Sequence, residues 1–152
     1  MNRVIDRHLM SIQGSIRTTF ITTELAFGPH TCEKFEALKT GPVFAKRKTA
    51  EAMMCADDDG RPVRSILYLV QAIRFGKNVA ILALGGDLVI DCDVRVQREY
   101  PKHELVAAGC YNEVTCNIPS KRLLSHGGYE AVDSMVHYGQ PGPLPLSGGE
   151  HF

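Results

Sequence analysis

Tryptophan is absent from these 152 residues, aromatic side chains make up only 7%, and 17 Lys+Arg balance 17 Asp+Glu. A neutral chain with few rings has no positive field to hold a phosphate backbone and no platform for stacked bases, which excludes nucleic acid as a partner. No apolar run approaches the roughly 20 residues that cross a bilayer as a helix. The N-terminal stretch MNRVIDRHLMSIQGSIRTTF interleaves Arg3, Asp6, Arg7 and His8 with apolar residues and lacks the unbroken apolar core of a secretory signal. The chain as written is therefore expected in the cytoplasm, or else to begin downstream of a lost leader.

Compact chemical motifs are missing too. The five cysteines, Cys32, Cys55, Cys92, Cys110 and Cys116, are odd in number and form no C-x-x-C pair, against a disulfide framework or a zinc knuckle. They are expected to be small core residues in a reducing compartment. His8, His30, His103, His126, His137 and His151 are scattered and make no H-x-H, H-x-x-H or H-E-x-x-H pair. No G-x-S-x-G nucleophile elbow occurs.

What the chain does have is a hydrophobic content of 44% and enough length for one domain with a core. Residues 17–27 (RTTFITTELAF), rich in β-branched side chains and closed by Gly28-Pro29, read as a strand. A short helix is expected over 31–38, started by Thr31, and a second over 43–56 after the Gly41-Pro42 break, ending at Asp57-Asp58-Asp59-Gly60. Residues 65–75 and 79–84, split by Gly76-Lys77-Asn78, read as a β-hairpin whose second strand is apolar enough to be buried on both faces. Ile90, Cys92, Val94 and Val96 alternate with polar residues as a strand would, yet Leu88, Cys92, Val96 and Tyr100 share a helical face. Residues 104–110 read as another buried strand. Pro119-Ser120 opens a helix through Leu124 that Gly127-Gly128 stops, and the Pro- and Gly-rich tail from Gly139 should be irregular.

The stretch 79–143 carries the functional signal. An apolar run ending in Gly85-Gly86 delivers Asp87 to the mouth of a strand, where the glycines would let the backbone approach a metal. Alternatively, Asp87 simply N-caps the next helix. A second apolar run ends in the loop Tyr111-Asn112-Glu113-Val114-Thr115-Cys116-Asn117, with polar groups enough to line a pocket, although turn-forming Asn explains much of it. Adjacent strand ends of this kind are where open α/β sheets keep their chemistry.

Gly86-Asp87, Asn112, Ile118-Pro119, the Gly127-Gly128-Tyr129-Glu130 segment and Tyr138-Gly139 follow one another in an order that resembles the C-terminal part of the neutral or alkaline, non-lysosomal ceramidase catalytic domain, over about residues 41–143. The resemblance implies an α/β fold, a mixed open sheet with flanking helices and a helix after the Gly-Gly-acid turn. Length and composition give one α/β domain over 1–143, ceramidase-like over about 41–143 as a partial catalytic domain, and an irregular tail over 144–152. The resemblance also implies a zinc amidase in which metal-activated water cleaves the N-acyl amide of ceramide or a related lipid. Asp87 would stand at the glutamate zinc ligand, one methylene shorter, and Tyr111, Asn112 and Asn117 would face substrate. The tyrosine ligand would fall at Val114 or Asn117, neither of them Tyr. The histidine ligands and the catalytic histidine, which the family carries in His-Thr-His-like and Gly-Asp-x-Asn-Pro-like motifs, have no counterpart before Gly41. Zinc binding by the isolated chain is accordingly expected to be weak or absent, and its hydrolytic activity slow or nil.

Two readings follow. The chain is a ceramidase-like amidohydrolase fragment, completed by a separate N-terminal half or self-associated through apolar surface, in a family whose members are often secreted or membrane-associated. Otherwise it is a non-catalytic remnant or binding module on the same scaffold, a view favoured by Asp87, Val114 and Asn117. A nucleotide-binding domain ranks last, since Gly85-Gly86 lacks the fuller glycine fingerprint.

Overall fold

The computed structural model describes residues 11–101 and 104–146. Strands β1 (Ile16–Ala26), β2 (Ser65–Phe75), β3 (Val79–Leu84) and β5 (Glu104–Ala108) form a four-stranded mixed sheet in the order β1-β2-β3-β5. The first two pairings are antiparallel and β3–β5 is parallel. Short strands β4 (Asp87–Leu88) and β6 (Asn117–Ile118) pair in parallel as a separate ribbon. The general α/β reading, a mixed sheet with flanking helices, holds.

Local sequence explains the antiparallel half. β1 and β2 are dense in Ile, Thr, Leu and Val, which pack well on a pleated surface. Phe75 faces Val79 across the turn, and Gly76 adopts φ 62°, which glycine takes without steric penalty. Between β1 and β2 the chain makes a helical hairpin of α1 (Cys32–Lys39) and α2 (Phe44–Asp58), whose N-cap positions Thr31 and Val43 make no side-chain cap bond, broken at Gly41-Pro42. Phe35, Ala50 and Met53 lock the two helices together, and the Thr49 hydroxyl donates to the Val136 carbonyl at 2.9 Å. That bond ties α2 to a 3-10 helix at Asp133–Tyr138.

A helix, α3 (Ile90–Glu99), carries the chain from β3 to β5. Strand-like alternation in this segment is overridden because parallel neighbours need a crossover connection. Val89, not Asp87, is its N-cap, so the capping interpretation of Asp87 is corrected; Asp91 and Asp93 supply negative charge to its first turn instead. α4 (Lys121–His126) follows, with Ser120 as N-cap accepting from the Leu123 amide at 3.2 Å, and Gly127 terminates it.

The main core lies toward one end of the sheet, where Leu25, Phe27, Tyr68, Leu84, Cys116, Ile118, Met135 and Leu144 meet. Each such side chain contributes about 1.5–3 kcal/mol when fully buried. Several expectations are corrected by this eccentric packing. β3 is fully buried only at Ala83 and Leu84, one on each face, and half-buried from Val79 to Leu82, while Val106 of β5 is exposed. The cysteines are not all core residues, since Cys116 is buried, Cys92 half-buried, and Cys32, Cys55 and Cys110 exposed. The tail beyond Gly139 is irregular yet packed: Pro141, Gly142 and Leu144 are buried, and the Gly28 amide donates to the Pro143 carbonyl at 2.8 Å. No described helix is long and apolar enough to cross a membrane.

Candidate functional site

The ends of the parallel pair are stitched together by backbone bonds. Gly86 donates to the Glu113 carbonyl at 2.9 Å, Cys110 donates to the Gly86 carbonyl at 2.6 Å, and Tyr111 donates to the Leu84 carbonyl at 3.1 Å. Gly86 has φ 74°, and a Cβ there would lie 2.7 Å from the Cys116 carbonyl oxygen and 2.8 Å from Ile118 Cγ1. The close approach that Gly85-Gly86 permits is therefore to the chain's own backbone. Asp87 then enters β4, donates its amide to the Cys116 carbonyl at 2.9 Å and stands beside Asn117 in the β4–β6 register.

Thus Asp87 and the 111–117 loop, distant in sequence, share one end of the sheet. Their side chains meet different environments. Asp87 and Asn112 are exposed, Tyr111 is half-buried, and Asn117 is only 5% exposed, with its Oδ1 lacking a partner among the described residues. Cys110 and Asn112 both take positive φ, 55° and 63°, a sparsely populated region for residues with a Cβ that costs of order 1–3 kcal/mol each.

Two neighbours of Asp87 were not singled out for this role by the sequence reading. The Cys110 thiol points at Asp87 Oδ1 from 3.8 Å, and burial followed by the Asp87 charge pushes its pKa up. The Tyr138 phenol is raised by burial, then by Asp87 and Cys110. Both groups therefore hold their protons at neutral pH, which disfavours thiolate chemistry. Nothing in the local sequence marks Cys110; only the β5 turn back to Gly86 brings it to Asp87.

The described residues do not fit a catalytic zinc, which takes three protein ligands. No group of three or more His, Cys, Asp or Glu side chains among them could hold a metal. His30 is engaged with the Gly28 carbonyl at 3.2 Å, His126 with the Arg122 carbonyl at 2.6 Å, and His137 stacks near Tyr129 at 6.2 Å. Val114, one position where the resemblance puts a tyrosine ligand, is exposed. His8, His103 and His151 lie outside the described residues.

A larger feature lies on the sheet face that α3 crosses. A groove of about 680 Å³ opens between the sheet and helices α3 and α4. Ile21, Leu25, Val70, Leu82, Leu84 and Leu88 give it an apolar floor, with Cys92, Val96 and Pro119 along its wall. Burial pushes the Cys92 thiol up, so the wall carries no thiolate at neutral pH. Glu24 and Lys121 also line the groove, and four of its charged groups pair with one another. Arg122 forks onto Asp91 with two bonds of 3.0 Å, while the Ser120 hydroxyl donates to the same carboxylate at 2.6 Å. These bonds hold the Asp91 carboxyl below the usual range. Arg95 pairs with Glu99 at 2.7 Å. None of Asp87, Tyr111, Asn112 or Asn117 lines this groove; Asp87 and Cys110 border a separate depression of about 560 Å³ along α3 and β5.

Compared with protein-family models, curated proteins and solved structures, the chain matches none.

Proposed function

We propose that the chain is a binding module whose α/β scaffold takes an elongated neutral amphiphile, of the N-acyl amide or ceramide type, in the groove beneath α3. The observation that carries this reading is the apolar floor bordered by a rim where Arg122 pairs with Asp91 and Arg95 with Glu99. Its volume falls within the ~300–1,000 Å³ of small-molecule sites, and a few polar groups set beside a mainly apolar surface are the usual recipe for orientation. Arg122 and Arg95 are each engaged by a carboxylate, so a fatty-acid anion would have to compete with Asp91 or Glu99 for its counter-ion. A neutral amide head can instead accept and donate at the rim without breaking a pair. Titration with a fluorescent N-acyl amine and, in parallel, a fluorescent fatty acid tests this. The amide should saturate and the acid bind at least about tenfold more weakly, and Val96→Lys should abolish both, since it sets a charged stem across the wall of the groove. Equal affinities, or binding unchanged by Val96→Lys, would defeat the reading.

The hydrolytic reading, a ceramidase-like fragment, is favoured by a different observation: the adjacency of Asp87 to the 111–117 loop at the ends of β3 and β5. It requires zinc ligands from a complementing polypeptide. Ceramide turnover by the chain supplied with zinc and a ceramidase N-terminal half carrying the histidine ligands, lost in Asp87→Ala, would establish it. Without turnover, the binding module stands alone.

A further inference from the structure

β1 is an edge strand of eleven residues, and its backbone alternation can be read from the bonds that flank it. Phe27 donates to the Arg64 carbonyl and Gly76 donates to the Ser15 carbonyl, so odd-numbered residues of this strand face β2. The N–H and C=O groups of Ile16, Thr18, Phe20, Thr22, Glu24 and Ala26 therefore point away from the sheet. Among the described residues no other strand lies along that edge. The usual devices that blunt an edge are missing: β1 contains no proline, pairs with β2 without a bulge from Ile16 to Ala26, and carries charge only at Arg17 and Glu24. Phe20 and Ile21, at its centre, are 52% and 54% exposed on opposite faces.

We infer that this edge pairs with the same edge of a second copy, antiparallel about a twofold axis at Ile21, to give a continuous eight-stranded sheet. Several features choose a second copy. A twofold normal to the sheet keeps each face on its own side, and centring it on Ile21 overlaps all of β1 with all of its partner. Thr19 then faces Thr23 of the other copy, Phe20 faces Thr22 and Ile21 faces itself, pairings that suit a pleated surface. Up to about twelve backbone bonds can form, because every outward-pointing residue meets another outward-pointing one. Charge does not oppose this arrangement: Arg17 meets Leu25 and Glu24 meets Thr18 of the other copy, so no like charges face one another. The edge bonds do not rest on what the groove binds; Ile21 belongs to both surfaces, whereas Thr22 does not line the groove.

Sedimentation equilibrium on the full chain, from low micromolar to several hundred micromolar, tests it. The wild type should be a dimer. Thr22→Pro, which removes an outward N–H and no bond to β2, should weaken association about tenfold or more. Should that variant fail to fold by circular dichroism, a charge pair on the axis serves instead. Ile21→Lys and Ile21→Glu should each be monomeric, since each opposes like charges, and an equimolar mixture should recover the dimer. A wild-type monomer across the range, its edge left to a foreign strand or to none, would overturn the inference. So would a Thr22→Pro dimer of undiminished strength, or a mixture that stays monomeric.

Discussion

Replacing Gly86 by alanine should destabilise the chain well beyond the conformational cost of a positive φ. Two terms add. Holding a residue with a Cβ at φ 74° costs roughly 1–2 kcal/mol, partly offset by the entropy that alanine removes from the unfolded chain. The new Cβ would also sit 2.7 Å from the Cys116 carbonyl oxygen and 2.8 Å from Ile118 Cγ1. The first atom is backbone and the second belongs to a core side chain, so relief requires the β3 and β6 ends to separate, an overpacking cost of about 1–3 kcal/mol. Together they give about 3 kcal/mol. For a chain of this size that lowers Tm by about 6–12 °C. Gly139 is the control: it has nearly the same φ, 70°, with nothing within 4 Å of its missing Cβ. Gly139→Ala should therefore show the backbone cost alone, no more than about 1–2 kcal/mol. Differential scanning calorimetry of both variants against the wild type makes the comparison. Equal losses would refute the claim that the Gly86 approach to Cys116 and Ile118 holds the two strand ends together.

Ser120→Ala should lose about 1 kcal/mol from the α4 cap, measured by urea denaturation at neutral pH, and more because its bond to Asp91 goes too. The Asp91 carboxyl has a folded-state pKa below the ordinary value of about 3.9, so its clamp contributes stability above that value and loses it as pH falls through the lower, folded one. Wild type should accordingly exceed Asp91→Asn in stability at pH 7 and converge with it in acid; a gap that widens in acid would contradict the sign. Thiol labelling should modify Cys32, Cys55 and Cys110 in the native chain before Cys116, whose thiol is buried and pushed up to about 11. Labelling of Cys116 at the rate of the exposed thiols, followed by mass spectrometry of peptides, would contradict its burial.

Legibility in the sequence followed the range of the interactions. β1, the β2–β3 hairpin and the two helices of the first connection were readable to within a residue or two, because β-branched runs, Gly76 and the Gly41-Pro42 break act over a few neighbours. α3 was not readable from periodicity, since Ile90, Cys92, Val94 and Val96 alternate as in a strand; its state is fixed by the need to cross between parallel strands. The meeting of Asp87 with the loop that follows β5 was anticipated from strand-end logic. Cys110 and Tyr138 at the same place were not, because their proximity depends on how two loops return across the sheet. The groove was invisible for a related reason: its floor draws on four strands and its rim on two helices, and no window of sequence contains both.

The seating of Leu144 against Leu25 and Tyr68 has a bearing on biosynthesis. A chain emerging from the ribosome displays β1 long before Leu144 leaves the exit tunnel, and sheets joined over such separations close slowly. Until then the nascent polypeptide presents a hydrophobic ribbon with an open edge, a natural client for chaperones. Maturation therefore waits on the arrival of a leucine set between two prolines.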